Sequence, residues 1–328
     1  MVPPHHAPVP RPYDLAHVPP TVFTIVMGVT GLGLAWRTAA TALGLTARIG
    51  ETLIQAGMSL SVFMLVLYGL KMALHRDAFR KDAADPNISN YFSAFTLGLM
   101  LVARGADLYW PETARVVWLI AAPLHFVLTI RQIRLWVTRN HVVTVANPSW
   151  FLPVGGCLLA PDLGVRLGYV ELSWALFSLG LVYWILLFGI VLNRIIFHDQ
   201  LPNRYVPTFF ITIAPPALGF MSYQSLMGGE IDAFARILFY SALATTILVF
   251  SLVRLFSRLP FALSWWAYTF PLDAITIAAW RYGQGVGSQA IENGAILLLG
   301  ITTVIVGLVA LETLKALMRG NLFLPETE

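Results

Sequence analysis

Residues 264–282 read SWWAYTFPLDAITIAAWRY, a stretch that is too long and too apolar for an ordinary buried strand. Pro271 stands near its middle, and Asp273 follows two residues later. A proline removes a backbone hydrogen bond, so in a membrane the freed carbonyl needs a neighbouring helix, a hydroxyl or water. Such a span typically faces something other than lipid. We therefore expect this helix to line a pathway that the ring of Phe270 obstructs.

Composition predicts an integral membrane protein. Of 328 residues, 57% are hydrophobic and 12% are charged, and the mean hydropathy is +0.72, far above what a water-exposed surface allows. Runs of about 20 apolar residues predict ten spans. They cover roughly residues 20–40, 50–72, 91–109, 113–137, 150–167, 170–195, 206–227, 231–256, 262–282 and 291–317.

The distribution of basic residues predicts the orientation. The terminal segments and the connections after the even spans hold most of the Lys and Arg side chains, and such connections face the cytoplasm. We therefore predict a flexible cytoplasmic arm (residues 1–18), a membrane channel domain (19–318) and a cytoplasmic tail (319–328). The net charge of +4 reflects this bias, so we predict no nucleic-acid partner.

The sequence contains few candidates for cofactor or metal chemistry. Cys157 is the single cysteine, so neither an intramolecular disulfide nor a thiolate metal cluster is expected. His5 and His6 in the arm are either solvated or a weak metal site. Motifs such as HExxH and GxSxG do not occur. We predict no cofactor and no enzymatic activity.

The odd-numbered spans open alike, which indicates an internal repeat. A proline, a hydroxyl and an aromatic residue recur at three of these openings: Pro20, Thr21 and Phe23; Pro148, Ser149 and Phe151; Pro207, Thr208 and Phe210. The corresponding positions Pro20, Asn90, Pro148, Pro207 and Trp265 recur at intervals of one helical hairpin. This period predicts an all-α body of five hairpins in a quasi-five-fold ring.

The two classes of span differ in composition. Pro153, Pro215, Pro216 and Pro271 all fall in odd spans, whereas the even spans are mostly continuous and bulky. The alternative is that proline is simply commoner in membrane helices than in soluble ones. The restriction of these four prolines to odd spans favours the interpretation that the odd helices line a central pore. Kinks there would expose the positive N-terminal ends of helices, which suits anions.

Three stretches carry a family resemblance: NPSWFLP at 147–153, GGEIDAFARILFY at 228–240 and WWAYTFP at 265–271. With these, the chain resembles the tellurite-resistance and dicarboxylate transporter (TDT) family, which includes bacterial TehA and the plant slow anion channels. The resemblance implies a bacterial inner-membrane homotrimer with one pore in each protomer. It also implies passage of small anions such as chloride and nitrate, with Phe270 of the ninth helix as the gate.

Several other residues are weaker candidates. Phe23, Phe92, Phe151 and Phe210 are either further constrictions or packing residues at helix starts. Arg104 either pairs with Asp107, three residues away, or lies in a pore vestibule. Asp273 would repel anions, so it either pairs with a neighbour such as Arg104 or marks a different mode of conduction. His125 is expected to serve in packing or a subunit contact rather than in proton relay.

One functional alternative stays open. A proton-coupled or passive transporter of C4-dicarboxylate, sulfite or tellurite would use the same fold, with Asp273 or His125 as a proton carrier.

Overall fold

The computed structural model describes residues 14–256 and 258–323, and this part of the chain contains helices and no strand. His5, His6 and residues 324–328 of the predicted terminal segments lie outside it. Ten helices make up the body: α1 (Phe23–Leu43), α2 (Arg48–Leu74), α3 (Phe92–Ala106), α4 (Pro111–Thr138), α5 (Phe151–Leu159), α6 (Val170–Phe197), α7 (Ala214–Leu226), α8 (Ala233–Ser251), α9 (Thr269–Val286) and α10 (Gln289–Met318). Among the described residues, three short helices, Arg76–Ala84, Pro161–Gly164 and Val253–Phe256, lie between them.

The predicted all-α membrane fold is confirmed. In the described part of the chain, seven segments are long and apolar enough to cross a membrane. These are the five even-numbered helices together with Pro20–Leu43 and Asn203–Leu226, which contain α1 and α7. The odd-numbered helices α3, α5 and α9 are not among these seven segments, so the full set of ten crossings stays a prediction.

Each odd-numbered helix is preceded by a 3₁₀ segment. These segments are Pro20–Val22, Ile88–Tyr91, Pro148–Trp150, Asn203–Ile213 and Leu263–Tyr268. The prolines predicted to kink the odd spans, Pro153, Pro215, Pro216 and Pro271, all lie in the first turn of the following α-helix. A proline is tolerated in a first turn because its missing amide hydrogen has little to bond there. These prolines therefore mark where an α-helix begins within the span.

Packing separates inner from outer helices. Each odd helix packs against the even helix that follows it and against the next odd helix, and α9 packs against α1, which closes the ring. In the apolar windows of Pro20–Leu43 and Asn203–Leu226, 83% of residues are buried, against 28–33% in the even helices. The even helices expose large apolar side chains such as Phe63, Ile185 and Leu297. Lipid suits such a surface, so the odd helices form the inside of the body.

Small residues on α1 allow the ring to close. A Cβ atom added at Gly28 would lie 2.1 Å from Thr269 Oγ1, and one at Gly31 would lie 2.5 Å from Asp273 Oδ2. Thr269 and Asp273 are one helical turn apart on α9. The two backbones therefore approach closely because Gly28 and Gly31 have no side chains, as is common between membrane helices.

Candidate pore

A cavity lies at the centre of the ring and receives residues from all five odd helices. Its lining comprises Thr24, Met27, Leu97, Phe151, Leu152, Gly155, Ile211, Ala214, Pro215, Leu218, Trp266, Ala267, Phe270 and Pro271. About 30 Å³ is open to the centres of water-sized molecules, which is room for about two waters. The wall is apolar apart from Thr24, whose hydroxyl donates to the Thr21 carbonyl at 2.6 Å.

Four α-helices begin at this cavity. Thr24, Phe151, Ala214 and Phe270 all lie on the wall, and each is the first or second residue of its α-helix. The first amide group of each of these helices donates to a carbonyl of the preceding 3₁₀ segment. The cavity wall is thus apolar and carries no charged side chain, so it would not hold an anion tightly.

The structure places Phe270 on the cavity wall, next to Pro271 and in the company of Phe151 and Pro215. The Phe270 side chain is 6% exposed. The cavity wall therefore brings the predicted gate, Phe270, together with two of the predicted prolines and one of the four weaker aromatic candidates.

The other three aromatic candidates pack in aromatic clusters instead of on this wall. The ring centroids of Phe23 and Phe92 lie 5.4 and 6.0 Å from that of Tyr68. Phe210 lies edge-on to Tyr268 at 4.8 Å. For these positions the packing interpretation agrees with the geometry.

His125 of α4 forms hydrogen bonds with residues of α3 and α5. Its Nε2–H donates to the Pro153 carbonyl at 2.7 Å, and its Nδ1 lies 2.7 Å from the Thr96 hydroxyl. Thr129 also donates to the Pro153 carbonyl at 2.7 Å. The His125 side chain is fully buried within the protomer. Because its own chain covers the ring, the geometry agrees with the packing alternative and leaves no exposed His125 surface for a subunit contact.

A cluster of charges lies where the odd helices end. Asp162, just after α5, accepts hydrogen bonds from Arg104 of α3 at 3.0 Å and from Arg281 of α9 at 2.6 Å. Arg104 also lies 3.8 Å from Asp107, and Asp107 pairs with Arg166 at 2.8 Å. The pairing of Arg104 with Asp107 expected from their spacing is thus present, but its distance is longer than that between Arg104 and Asp162. Asp162 was not predicted from the sequence, although a carboxylate following Pro161 inside the fifth span was a usable signal.

Asp273 has no such partner. Its side chain is fully buried against Gly31, and within the described chain neither carboxylate oxygen has a hydrogen-bond partner. Arg104 bonds to Asp162 instead, so the expected pairing of Asp273 with Arg104 was wrong. Asp273 faces α1 and is not on the cavity wall.

Comparison with known proteins identifies the family. The model of the SLAC1 family, voltage-dependent anion channels, matches residues 17–314. The chain belongs to the SLAC1 family. This confirms the resemblance drawn from the three sequence motifs, and the match covers every helix that lines the cavity.

Relatives within the SLAC1 family come from plants and bacteria. The S-type anion channel SLAH2 of Arabidopsis thaliana is 27% identical over 94% of this chain and 61% of its own length. The guard cell S-type anion channel SLAC1 of the same plant is 22% identical over 92% of this chain and 56% of its own. The chain therefore spans less than two thirds of these plant relatives. The tellurite resistance protein TehA homolog of Haemophilus influenzae is 25% identical over 98% of this chain and 96% of its own length.

Proposed function

We propose that this SLAC1-family protein is a channel for small monovalent anions such as chloride and nitrate, with Phe270 as the gate. The observation that carries the proposal is the central cavity, which all five odd helices line and on whose wall Phe270 lies. An apolar, narrow passage without a fixed charge selects anions that shed water easily. The names of the plant relatives, which are anion channels, support the same class of substrate.

The protein is a multi-pass membrane protein, and we propose the bacterial inner membrane as its location, with both termini cytoplasmic and a homotrimer as its assembly. The support is the bias of basic residues and the similarity to the bacterial TehA homolog over nearly the whole of both chains.

The test is anion current through the wild type and Phe270→Ala in a planar bilayer. Lowering the barrier by about 1.4 kcal/mol raises the rate of passage about tenfold, and we expect removal of the ring to raise the current by at least that order. The matched control is Phe210→Ala, which removes an equally buried ring that packs against Tyr268. The current through Phe210→Ala should not rise above that of the wild type.

One observation favours a second candidate, a proton-coupled transporter. Asp273 is buried without a hydrogen-bond partner in the described chain, and an isolated buried carboxylate is costly to keep charged. In such a transporter, Asp273→Asn would abolish uptake of malate or sulfite driven by a proton gradient. If neither the wild type nor Phe270→Ala conducts, while that uptake is present and depends on Asp273, the channel proposal fails.

A further inference from the structure

The charge cluster around Asp162 joins helices that are not neighbours in the ring. Asp162 Oδ1 accepts from Arg281 of α9 and from Ser225 Oγ of α7 at 3.2 Å, while Oδ2 accepts from Arg104 of α3. In the ring, α9 packs against α7 and α1, and α5 packs against α3 and α7. A direct bond between Arg281 and Asp162, three residues beyond the end of α5, therefore reaches across the interior of the ring.

This bridge is separate from the cavity at Phe270. Phe270 is the second residue of α9, and Arg281 lies eleven positions further along the same helix, so the two are roughly 16 Å apart along its axis. The side chains of Arg104 and Arg281 are 23% and 20% exposed, whereas that of Asp162 is 9% exposed. Both arginine side chains are thus partly accessible at the mouth where the odd helices end, and the carboxylate is held between them.

The surroundings of the carboxylate are those of an anion site. Two guanidinium groups and a hydroxyl all donate to it, and donors of this kind bind small anions strongly. Arg104 also has a second carboxylate within reach, since Asp107 lies at 3.8 Å. If Asp162 moves away from Arg104, the Arg104 guanidinium group can therefore still pair with Asp107.

We propose that Arg104, Arg281 and Ser225 form an anion-binding site at the far mouth of the pore, which the tethered Asp162 carboxylate occupies until a passing anion displaces it. This rests on the proposed passage of anions through the ring. The site would form a second constriction, which is polar, whereas the constriction at Phe270 is apolar. Its ligands would be small monovalent anions.

The first test measures binding without transport. Purified Asp162→Asn is heated at increasing nitrate concentrations. Gluconate makes up the rest of the anion at each concentration, so that the ionic strength stays constant. Nitrate should raise the unfolding temperature of Asp162→Asn with saturation, because the anion takes the place of the lost carboxylate, and should do so much less for the wild type. The matched control is Asp107→Asn, which removes the same charge near the same mouth but leaves the bridge across the ring. An equal nitrate effect in both variants, or none in Asp162→Asn, would overturn the proposal.

The second test measures current in the Phe270→Ala background. Asp162→Asn should lower the nitrate concentration for half-maximal current by about tenfold, the effect of one charge-assisted bond, and Arg281→Gln should raise it. A purely structural ion pair would change the maximal current and leave the half-saturating concentration in place, which would refute the site. Should Asp162→Asn not fold, Arg281→Gln decides by the same measure. A protein that binds nitrate as expected but passes no current would contradict the proposed function and keep the binding site.

Discussion

Gly155 and Gly156 are neighbours on α5, yet an added methyl group would meet different surroundings at each. A Cβ atom at Gly156 would lie 2.2 Å from the His125 ring, whereas one at Gly155 would have no atom within 4 Å. Gly155 lies on the cavity wall. We expect Gly156→Ala to lower the free energy of unfolding by about 1–3 kcal/mol through overpacking. Gly155→Ala should leave stability almost unchanged and lower the current in the Phe270→Ala background, because it narrows the cavity. Thermal unfolding and bilayer current measure the two effects, and a current unaffected by Gly155→Ala would argue against this cavity as the pathway.

At the scale of elements, the contact of α3, α4 and α5 depends on His125. His125→Phe keeps a ring of similar size but removes the hydrogen bonds to Pro153 and Thr96. Buried hydrogen bonds contribute about 0.5–1.5 kcal/mol each, so we expect a loss of about 1–3 kcal/mol in thermal or denaturant unfolding. Thr129→Val should cost less, because His125 still donates to the Pro153 carbonyl. The control is His198→Phe, at an exposed position after α6. Equal effects of His125→Phe and His198→Phe would show that the buried bonds contribute little.

The elements also show what the sequence could and could not predict. The repeated openings and the segregation of prolines predicted which helices lie inside, because composition follows the environment of each helix. The 3₁₀ segments were not predicted, since proline marks a helix start without specifying the turn that precedes it. The bonds of Asp162 were missed because its partners are 58 and 119 residues away, and only the closed ring brings them together. The place of Phe270 on the cavity wall agrees with the motif that singled it out. The packing of Phe23, Phe92 and Phe210 depends on neighbours such as Tyr68 and Tyr268, which spacing does not reveal.

At the scale of the whole molecule, the single buried cysteine makes the orientation measurable. Cys157 is fully buried, so an introduced surface cysteine is the one that a polar maleimide should label. Gln289 and Asp199 are exposed and are separated by α7, α8 and α9. If all three helices cross the membrane, the two sites lie on opposite sides. In intact cells we expect labelling of Gln289→Cys, and labelling of Asp199→Cys only after permeabilisation. The reverse result would invert the proposed orientation, and labelling of both from one side would remove one crossing.

The closure of α1 onto α9 imposes an order in time during synthesis. The ribosome makes α1 first, but its partner follows roughly 240 residues later, which at about 5–20 residues per second is a delay of roughly 12–48 s. Throughout that interval the face of α1 that will receive Thr269 and Asp273 has nothing to pack against except lipid or other helices already made. Gly28 and Gly31 present no polar side chain there, so this face of α1 can be exposed to hydrocarbon until α9 is made. The buried carboxylate arrives only with α9, when the groove that encloses it already exists.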